Sequence, residues 1–288
     1  MTDNITWFSG IQIVPGLFTV ENLSFAQNFL MKDDDVILVT YPRSGTHWMI
    51  EIVSLILSKG DPTWVQTVNS HTRFLWIEDK DSQKLLKGPD RPRLLATHLP
   101  IHLFPKSCFT SRAKIIYIIR NPRDVATSIY HIRKYTPNVK IPKNFEEFLN
   151  AFIHGELLYG SWFDHTLGWL TRRNTENFLL MSYEELQKDL RGNMQKLCQF
   201  LGNHLSPEQL DSVVQNSSFS VMKDNKMSNS IRLKNPEDET DSNVPLLRKG
   251  RCGDWKNHFT VTQSEAFDKI YQEKMSSLDP GLFPWSEV

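Results

Sequence analysis

The chain has 288 residues, enough for one large α/β domain with a substantial core, and no linker divides it. Its 33 lysine and arginine residues balance 33 aspartate and glutamate residues, which argues against nucleic acid or an acidic membrane surface as the main partner. No apolar run approaches the roughly 20 residues needed to span a bilayer, and the start MTDNITWFSG has no secretory-signal pattern. We therefore expect a single soluble domain over residues 1–288, in which any anion-binding site is local.

The three cysteines, Cys108, Cys198 and Cys252, are far apart and lack the spacing of metal ligands. An odd number of scattered cysteines is typical of reduced thiols, so we expect a cytoplasmic protein without a bound metal. Aromatic residues make up 11% of the chain. Core packing explains most of them, and the rest could line an apolar pocket.

Four short apolar runs predict buried strands: Val36–Thr40, Arg93–Thr97, Lys114–Ile119 and Phe178–Met181. The runs are continuous rather than alternating, as expected when helices cover both faces of a parallel sheet. The sequence therefore predicts an α/β fold with a central parallel sheet flanked by helices.

Helical patterns follow the strands. The spacing of apolar residues predicts a helix over Glu185–Leu201. Capping boxes at Ser206-Pro207-Glu208-Gln209 and Thr262-Gln263-Ser264-Glu265 predict two further helix starts, and so a helical C-terminal part. Two polar stretches, Asp79–Arg93 and Asn225–Val244, are predicted to be irregular. The charged centre of the second, Lys234–Asn243, predicts a mobile loop, for which an active-site lid and a plain disordered loop stay equally open.

The first predicted strand runs directly into Tyr41–Trp48 (YPRSGTHW) and then into an amphipathic helical pattern. A strand, a glycine-containing turn and a helix start are the geometry in which free backbone N–H groups and the helix dipole bind an anion. Ser44 and Thr46 add hydroxyl donors, and Arg43 adds a bidentate cation. An ordinary tight turn is the alternative. We favour an anion site, because PRSGT directly follows a buried strand.

Two more basic clusters occur along the chain. Arg120–Asp124 (RNPRD) follows the third predicted strand, with Ser128 one helical turn on, and Leu247–Gly250 (LRKG) follows the acidic loop. Each cluster alone is also consistent with a run of charged residues that are exposed to solvent at the protein surface. Three anion-ready clusters on a neutral chain indicate a ligand with two separated phosphates.

Together these segments resemble the cytosolic sulfotransferases, which transfer a sulfuryl group from 3′-phosphoadenosine-5′-phosphosulfate (PAPS) to a hydroxyl group and release 3′,5′-adenosine diphosphate (PAP). YPRSGTHW is similar to the family's YPKSGTxW loop for the 5′-phosphosulfate, and RNPRD…S to its 3′-phosphate element. RKG…GDW is similar to the segment that covers the same phosphate, and KNHFTVTQSE to the family's KxxxTVxxxE dimerisation segment. The likeness runs from Trp7 to Trp285. TWFSGI, YGSWFDH, FLLMSYEEL, NKMSN and LFPW indicate the hydroxysteroid branch, which sulfonates steroid alcohols and bile acids.

The resemblance implies a P-loop-like phosphosulfate-binding loop, a steroid or bile-acid acceptor, no metal, and a homodimer. It implies cofactor contacts from Arg43, Ser44, Gly45, Thr46, His47, Trp48, Arg120, Ser128, Tyr183, Ser217, Met222, Arg248, Lys249 and Gly250. It implies dimer contacts from Lys256, Thr260, Val261 and Glu265. His98 takes the position of the catalytic base. A neutral imidazole can accept the proton of an alcohol, and parallel sheets place their sites at the C-terminal ends of strands.

The loop departs from the family at two catalytic positions. Arg43 stands where the family has a lysine that protonates or stabilises the leaving oxygen. Because arginine does not give up its proton, we expect Arg43 to stabilise the leaving phosphate electrostatically. His47 replaces a small polar residue, and two roles stay open for it. It either hydrogen-bonds a phosphate oxygen, or it acts as the missing proton donor or shares the base role with His98.

The acceptor side also differs, since Ile129–Lys134 replaces a segment that offers aromatic residues in the branch. If Arg133 or Lys134 faces the pocket, an anionic acceptor such as a bile acid is favoured, because a buried cation needs a partner. The equally open alternative is that both cations point to solvent. Trp76 and Trp162 are the expected pocket aromatics.

Two other functions compete with this interpretation. A small-molecule kinase or NTPase predicts a GxxxxGK[ST] loop and a magnesium-binding acid after a strand, and neither pattern is found. The second alternative is a protein that still binds PAPS or a steroid but has lost activity through Arg43.

Overall fold

The computed structural model describes residues 6–13, 19–86, 93–133, 142–229, 231–234 and 241–285. The strands in this part of the chain are β1 Thr6–Phe8, β2 Ile11–Ile13, β3 Val36–Thr40, β4 Leu75–Trp76, β5 Leu94–Thr97, β6 Lys114–Ile119, β7 Phe178–Ser182, β8 Ile231–Lys234 and β9 Asp241–Val244. Five of them form a parallel sheet in the order β4-β5-β3-β6-β7, while β1-β2 and β8-β9 are antiparallel pairs.

The described α-helices are α1 Val20–Asn28, α2 Thr46–Leu57, α3 Thr63–Thr67, α4 Ser70–Arg73, α5 Lys80–Leu85, α6 Pro122–Ile132, α7 Phe145–His154, α8 Trp162–Leu170, α9 Tyr183–Lys188, α10 Leu190–Leu201, α11 Pro207–Asn216, α12 Phe219–Asp224 and α13 Val261–Lys274. Short 3₁₀ helices cover Ile101–Leu103, Lys106–Phe109, Asp254–Asn257 and Pro280–Leu282. Among the described helices, none combines the length and the apolar character needed to cross a membrane. The three cysteines are free thiols, of which only Cys252 is exposed.

The sheet is buried on both faces. Ile37 and Tyr117 belong to one apolar cluster, while Leu38, Ile116 and Ile118 belong to a second cluster on the other side. Alternating side chains of β3 and β6 therefore point into two separate cores, which explains why these strands read as continuous apolar runs. The predicted α/β fold with a parallel sheet between helices is confirmed.

All four predicted strands are present, each within one residue of its predicted ends. The sequence patterns missed β4, because two residues are too few to show a periodicity, and they missed the two short hairpins. The predicted helix over Glu185–Leu201 is wrong as a single element. Asp189 interrupts it with a non-helical backbone (φ −142°, ψ 78°), and its carboxylate accepts from Gly192 N to begin α10.

The capping box at Ser206 is confirmed, and α11 begins one residue later. The predicted box at Thr262 is wrong by two residues, because Thr260 caps α13 and exchanges reciprocal hydrogen bonds with Gln263. Overlapping Thr-x-x-Gln and Thr-x-x-Glu patterns made the sequence ambiguous here.

The two stretches predicted to be irregular are partly ordered. Asp79 caps α5 within the first stretch, while residues 87–92 lie outside the described part. In the second stretch, β8 pairs with β9, which corrects the predicted loop at those positions. Residues 230 and 235–240 lie outside the described part, so the lid prediction is not tested there.

Candidate active site

The carboxyl ends of the five parallel strands bring the site together. Each strand is followed by a residue that lines one cavity of about 360 Å³: Pro42 after β3, Glu78 after β4, His98 after β5, Arg120 after β6 and Tyr183 after β7. This convergence follows from the parallel order of the strands, since their carboxyl ends share one edge.

The predicted cofactor residues gather at this cavity. All of them line it except Ser44 and Ser217. Ser44 is fully buried, and its hydroxyl has no partner among the described residues. Ser217 instead supports the wall, because its backbone carbonyl accepts from the indole Nε1 of Trp48 at 2.9 Å.

The loop between β3 and α2 has the geometry of an anion site. Gly45 precedes α2 with φ 105° and ψ 20°, and no side chain caps this helix. A Cβ at Gly45 would lie 2.8 Å from the ring of Tyr183, so the turn accepts only glycine. The first N–H groups of α2 therefore lack an intrahelical or side-chain partner and are available to an anion at the cavity.

Buried positive charge surrounds this loop. Arg43 donates through Nη2 to the carbonyl of Leu246 at 2.7 Å and through Nε to Ser128 Oγ at 3.0 Å. Arg120 donates to the carbonyl of Arg43 at 3.0 Å. Burial, together with repulsion from Arg120 and Arg248, lowers the pKa of Arg43 to about 10. Nε of both Arg120 and Arg248 is buried without a partner in the described structure. This cluster of cations and these unused donors fit a bound polyanion such as PAPS.

Asp254 and Asp124 hold the C-terminal basic segment against the cavity. Asp254 pairs with Arg248 and Lys249, each at 2.7 Å. Burial alone would raise the pKa of Asp254, but the hydrogen bonds from its cationic and amide neighbours hold that pKa well below its usual range. The carboxylate of Asp124, on α6, accepts from the backbone N–H groups of Gly253 and Trp255 at 2.7 and 3.0 Å. Both cations are thereby held at the cavity that Arg120 also lines.

His98 has one defined tautomer. Its Nδ1 lies 2.7 Å from the backbone carbonyl of Thr40. Because a carbonyl oxygen only accepts, Nδ1 carries the proton, and Nε2 keeps a lone pair. Burial first, then the positive charge of Arg43, lowers the pKa of His98 to about 4. The ring is neutral near pH 7 and can accept a proton at Nε2.

Glu78 fixes the backbone beneath this histidine. Its carboxylate accepts from His98 N and from the Thr97 hydroxyl, both at 2.8 Å. Burial raises the pKa of Glu78 to about 7. The side chain therefore positions β5 and His98 and also lines the cavity.

The cavity wall beside His98 is aromatic. Trp76 packs edge-on against His98 at a ring-centroid distance of 4.7 Å and lines the cavity, as does His47. Burial first, then repulsion from His71 and Arg43, holds the pKa of His47 well below its usual range. Its Nδ1 lies 3.3 Å from Ser70 Oγ. A neutral His47 is poorly suited to donate a proton in the free protein.

Trp162, expected as a pocket aromatic, does not line this cavity, and the structure corrects its predicted place. It is fully buried in a core cluster and packs edge-on against Phe163 at 5.4 Å. The same YGSWFDH segment instead contributes Tyr159, whose ring lies 5.1 Å from that of His98. Ser161 caps α8 and turns Trp162 into the core, whereas Tyr159 precedes the helix.

Arg133 lies at a smaller apolar pocket of about 140 Å³. This pocket shares Arg43, Leu158 and Tyr159 with the main cavity. The guanidinium of Arg133 stacks on Tyr130 at 3.3 Å, and its Nε is buried without a partner among the described residues. Lys134 lies outside the described residues.

Sequence patterns missed several residues of the cavity wall. These are His71, Glu78, Asp79, Leu158, Tyr159, Gln187, Phe219, Leu246 and Arg251. Glu78 and Asp79 follow a strand too short to recognise, whereas Tyr159 begins the YGSWFDH motif and Leu158 directly precedes it. Within the described residues, no cluster of three or more His, Cys, Asp or Glu side chains could hold a metal ion.

Similarity to known proteins covers nearly the whole chain. The sulfotransferase domain family matches residues 33–279. A 3-beta-hydroxysteroid sulfotransferase of Cavia porcellus is 52% identical over 288 residues, covering 100% of each chain. Sulfotransferase 2A1 of Homo sapiens is 49% identical over 286 residues, covering 99% of this chain and 100% of the relative.

Solved structures agree with the sequence relatives. Mouse sulfotransferase SULT7A1, complexed with PAP, superposes with a TM-score of 0.79 at 33% identity, covering 96% of this chain and 97% of that one. A retinol dehydratase in complex with androsterone and the inactive cofactor PAP gives a TM-score of 0.77 at 25% identity, with 90% and 86% covered. With the full-length relatives and the converged site residues, these matches confirm the predicted family: the chain belongs to the sulfotransferase family.

Proposed function

We propose that the protein is a PAPS-dependent alcohol sulfotransferase that acts on hydroxysteroids, with His98 as its general base. The observation that carries this proposal is the 2.7 Å contact between His98 Nδ1 and the Thr40 carbonyl. It leaves a proton-accepting Nε2 on a cavity wall that the phosphate loop also lines. Base and anion site thus belong to the same cavity, as transfer between two ligands requires.

The cation cluster is proposed to hold PAPS. The N–H groups at the start of α2 and the side chain of Arg43 would hold the 5′-phosphosulfate, while Arg120, Ser128 and Arg248 would hold the 3′-phosphate. Bound PAPS supplies the sulfuryl group, which passes to the acceptor oxygen as its bond to the 5′-phosphate breaks. The unused Nε donors of Arg120 and Arg248 support this assignment.

The residues of the chain have separate tasks in this reaction. His98 Nε2 accepts the proton of the acceptor hydroxyl as the oxygen attacks. Arg43 stabilises the charge that develops on the leaving phosphate. A guanidinium with a pKa of about 10 stays protonated near pH 7, so it acts as an electrostatic group rather than an acid. His47, neutral beside the loop, is proposed to hydrogen-bond a phosphate oxygen.

An apolar alcohol fits the rest of the cavity. Trp76, Leu158, Tyr159 and Leu247 bring aromatic and aliphatic surface close to His98. Relatives named as hydroxysteroid sulfotransferases align over the full chain, which supports a steroid as the acceptor.

A bile acid is the acceptor that Arg133 favours. The smaller pocket continues from the main cavity, and a carboxylate or sulfonate there would reach the unpaired Nε of Arg133. A steroid nucleus in the main cavity would direct its side chain toward this pocket.

We also propose a cytoplasmic homodimer. Lys256, Thr260, Val261 and Glu265 are all exposed, and Val261 keeps 76% of its surface accessible. An exposed valine at the start of α13 is consistent with a surface that a second copy covers.

A panel assay tests these proposals. The protein is incubated with PAPS and matched acceptors: dehydroepiandrosterone, a bile acid, and the same bile acid with its carboxyl group esterified. We expect sulfonation of all three, with the free bile acid preferred and Arg133→Ala removing that preference. A clear preference for the uncharged steroid would reject the role of Arg133. Binding of PAP without sulfonation of any steroid would favour a binding protein instead.

A further inference from the structure

His71 and Trp76 form a stacked pair on one wall of the cavity. Their ring centroids are 5.7 Å apart and their planes differ by 29°. Both residues line the cavity, although Trp76 lies on β4 and His71 on the short helix α4. The wall they form lies beside the base, because Trp76 also contacts the ring of His98 at 4.7 Å.

Each ring of this pair has a polar atom without a hydrogen bond. Nε2 of His71 and Nε1 of Trp76 are closed off from solvent, and neither has a partner within the described residues. Buried polar atoms are paired in the great majority of cases, and each unpaired one costs about 1–3 kcal/mol. Two such atoms on adjacent rings of one cavity wall are better explained by a ligand than by packing alone.

We propose that His71 and Trp76 form a polar subsite for a second hydroxyl group of the acceptor, separate from the hydroxyl that is sulfonated. The inference rests on the proposed steroid sulfotransferase activity and specifies its acceptors further. Both nitrogen atoms are buried, although the rings that carry them line the cavity. The proposed contact requires the stacked rings to shift toward an incoming hydroxyl, and no hydrogen bond of either nitrogen to the described residues holds the rings in place.

A hydroxyl group suits this pair better than other oxygen groups. The indole N–H of Trp76 only donates, whereas a neutral imidazole nitrogen can accept. A hydroxyl accepts from the first and donates to the second, but a ketone can only accept. Burial lowers the pKa of His71, which keeps its ring neutral near pH 7. Glu78 and Asp79 line the same cavity and disfavour a carboxylate there.

The position of the pair limits where the second hydroxyl lies. Trp76 separates the rings of His71 and His98 by direct contact with both. The second hydroxyl is therefore close to the reacting one, on the same or a neighbouring ring of the steroid. Acceptors with hydroxyl groups at opposite ends of the nucleus would not reach both residues.

Acceptor binding to the PAP-saturated protein tests the subsite without requiring turnover. Calorimetry compares two steroids that differ only in the presence of the second hydroxyl, and a third that has a ketone in its place. We expect the wild type to bind the dihydroxy steroid about tenfold more tightly than the monohydroxy steroid, with the ketone between them.

His71→Phe keeps the stacked ring but removes the nitrogen. We expect it to reduce the advantage of the dihydroxy steroid to less than about threefold, while the affinity for the monohydroxy steroid changes little. Trp76→Phe should act in the same direction. His154→Phe is the matched control, because His154 is exposed on α7 and bonds the carbonyl of Asn150.

The possible outcomes distinguish a failure of the proposed subsite from a failure of the proposed enzymatic activity. If the wild type shows no preference for the dihydroxy steroid, or if His71→Phe retains that preference, the subsite is wrong. A wild-type preference that His71→Phe removes supports the subsite, even when no steroid is sulfonated and the proposed activity itself fails. Sulfonation of both steroids with equal affinities would leave the activity standing and overturn the subsite.

Discussion

His98 donates through Nδ1 to the backbone carbonyl of Thr40 over 2.7 Å. Thr40 is the last residue of β3, and the phosphate loop begins directly after it. One hydrogen bond thus joins His98, the proposed general base, to the strand that leads into the loop. It leaves Nε2 as the nitrogen with a free lone pair, and it links the orientation of His98 to the geometry of the loop.

Separate substitutions of His98 and His47 should show which of the two contributes more to the reaction rate. We expect His98→Ala to lower kcat by about 10²- to 10⁴-fold, because the acceptor hydroxyl loses its base. His47→Asn should lower kcat by about tenfold or less, since its neutral ring only hydrogen-bonds the phosphate in our account. Steady-state rates with one steroid, and the Kd for PAP as a binding control, distinguish the two. Equal losses of kcat in both variants would show that His47 shares the base role. A wild-type kcat in His47→Asn would show that His47 has no role in the reaction.

Arg43→Lys should separate charge from proton donation. A lysine can donate its proton to the leaving oxygen, so we expect kcat to rise by about tenfold. It cannot reproduce both bonds of Arg43 to Leu246 and Ser128, so the Kd for PAP should increase several-fold. Pre-steady-state rates and PAP binding measure the two effects separately. A kcat that stays unchanged or falls would show that Arg43 already supplies everything needed at this position.

Asp124→Ala should weaken cofactor binding without touching the cofactor site directly. The variant loses both acceptors for the N–H groups of Gly253 and Trp255, which releases the segment that contains Arg248. We expect the Kd for PAP to rise by about tenfold. Asp33→Ala is the control, because Asp33 is exposed and pairs with Arg112 at the surface. Unaltered PAP affinity in Asp124→Ala would show that the segment is held by other contacts.

Glu78 makes a testable contribution to the pH dependence of stability. Its pKa is raised from 4.5 to about 7 by burial, so the folded protein binds more protons than the unfolded chain between these values. The contribution of Glu78 to the free energy of unfolding therefore falls as pH rises from about 4.5 toward 7 and then levels off. Glu78→Gln removes this titration.

The stability of Glu78→Gln relative to the wild type should accordingly increase by up to about 3 kcal/mol between pH 4.5 and 8. Urea unfolding at several pH values measures the difference. A constant offset between the two proteins across this range would show that Glu78 does not titrate as proposed.

The sequence was sufficient to predict those parts of the fold that have a recognisable residue pattern. Continuous apolar runs located β3, β5, β6 and β7, because a sheet covered on both faces needs no polar alternation. The loop after β3 was recognisable because glycine and cationic residues follow a strand directly. In contrast, β4 has two residues and no pattern, so Glu78 behind it could not be assigned a place.

The direction of individual side chains was the other feature that could not be predicted from the sequence. Trp162 and Tyr159 lie in one motif, and only the turn before α8 decides which of them faces the cavity. His71 shows no periodicity or motif, and its role depends on its stacking against Trp76. Tertiary contacts of this kind are not encoded in local spacing.

Transfer of sulfonate from PAPS to a hydroxysteroid, followed by mass spectrometry of both products, tests the central claim most directly. We predict that the wild type forms one sulfonated steroid for each PAP released, and that His98→Ala forms almost none while still binding PAP. Absence of sulfonated steroid from the wild type under saturating PAPS, or full activity in His98→Ala, would contradict the account.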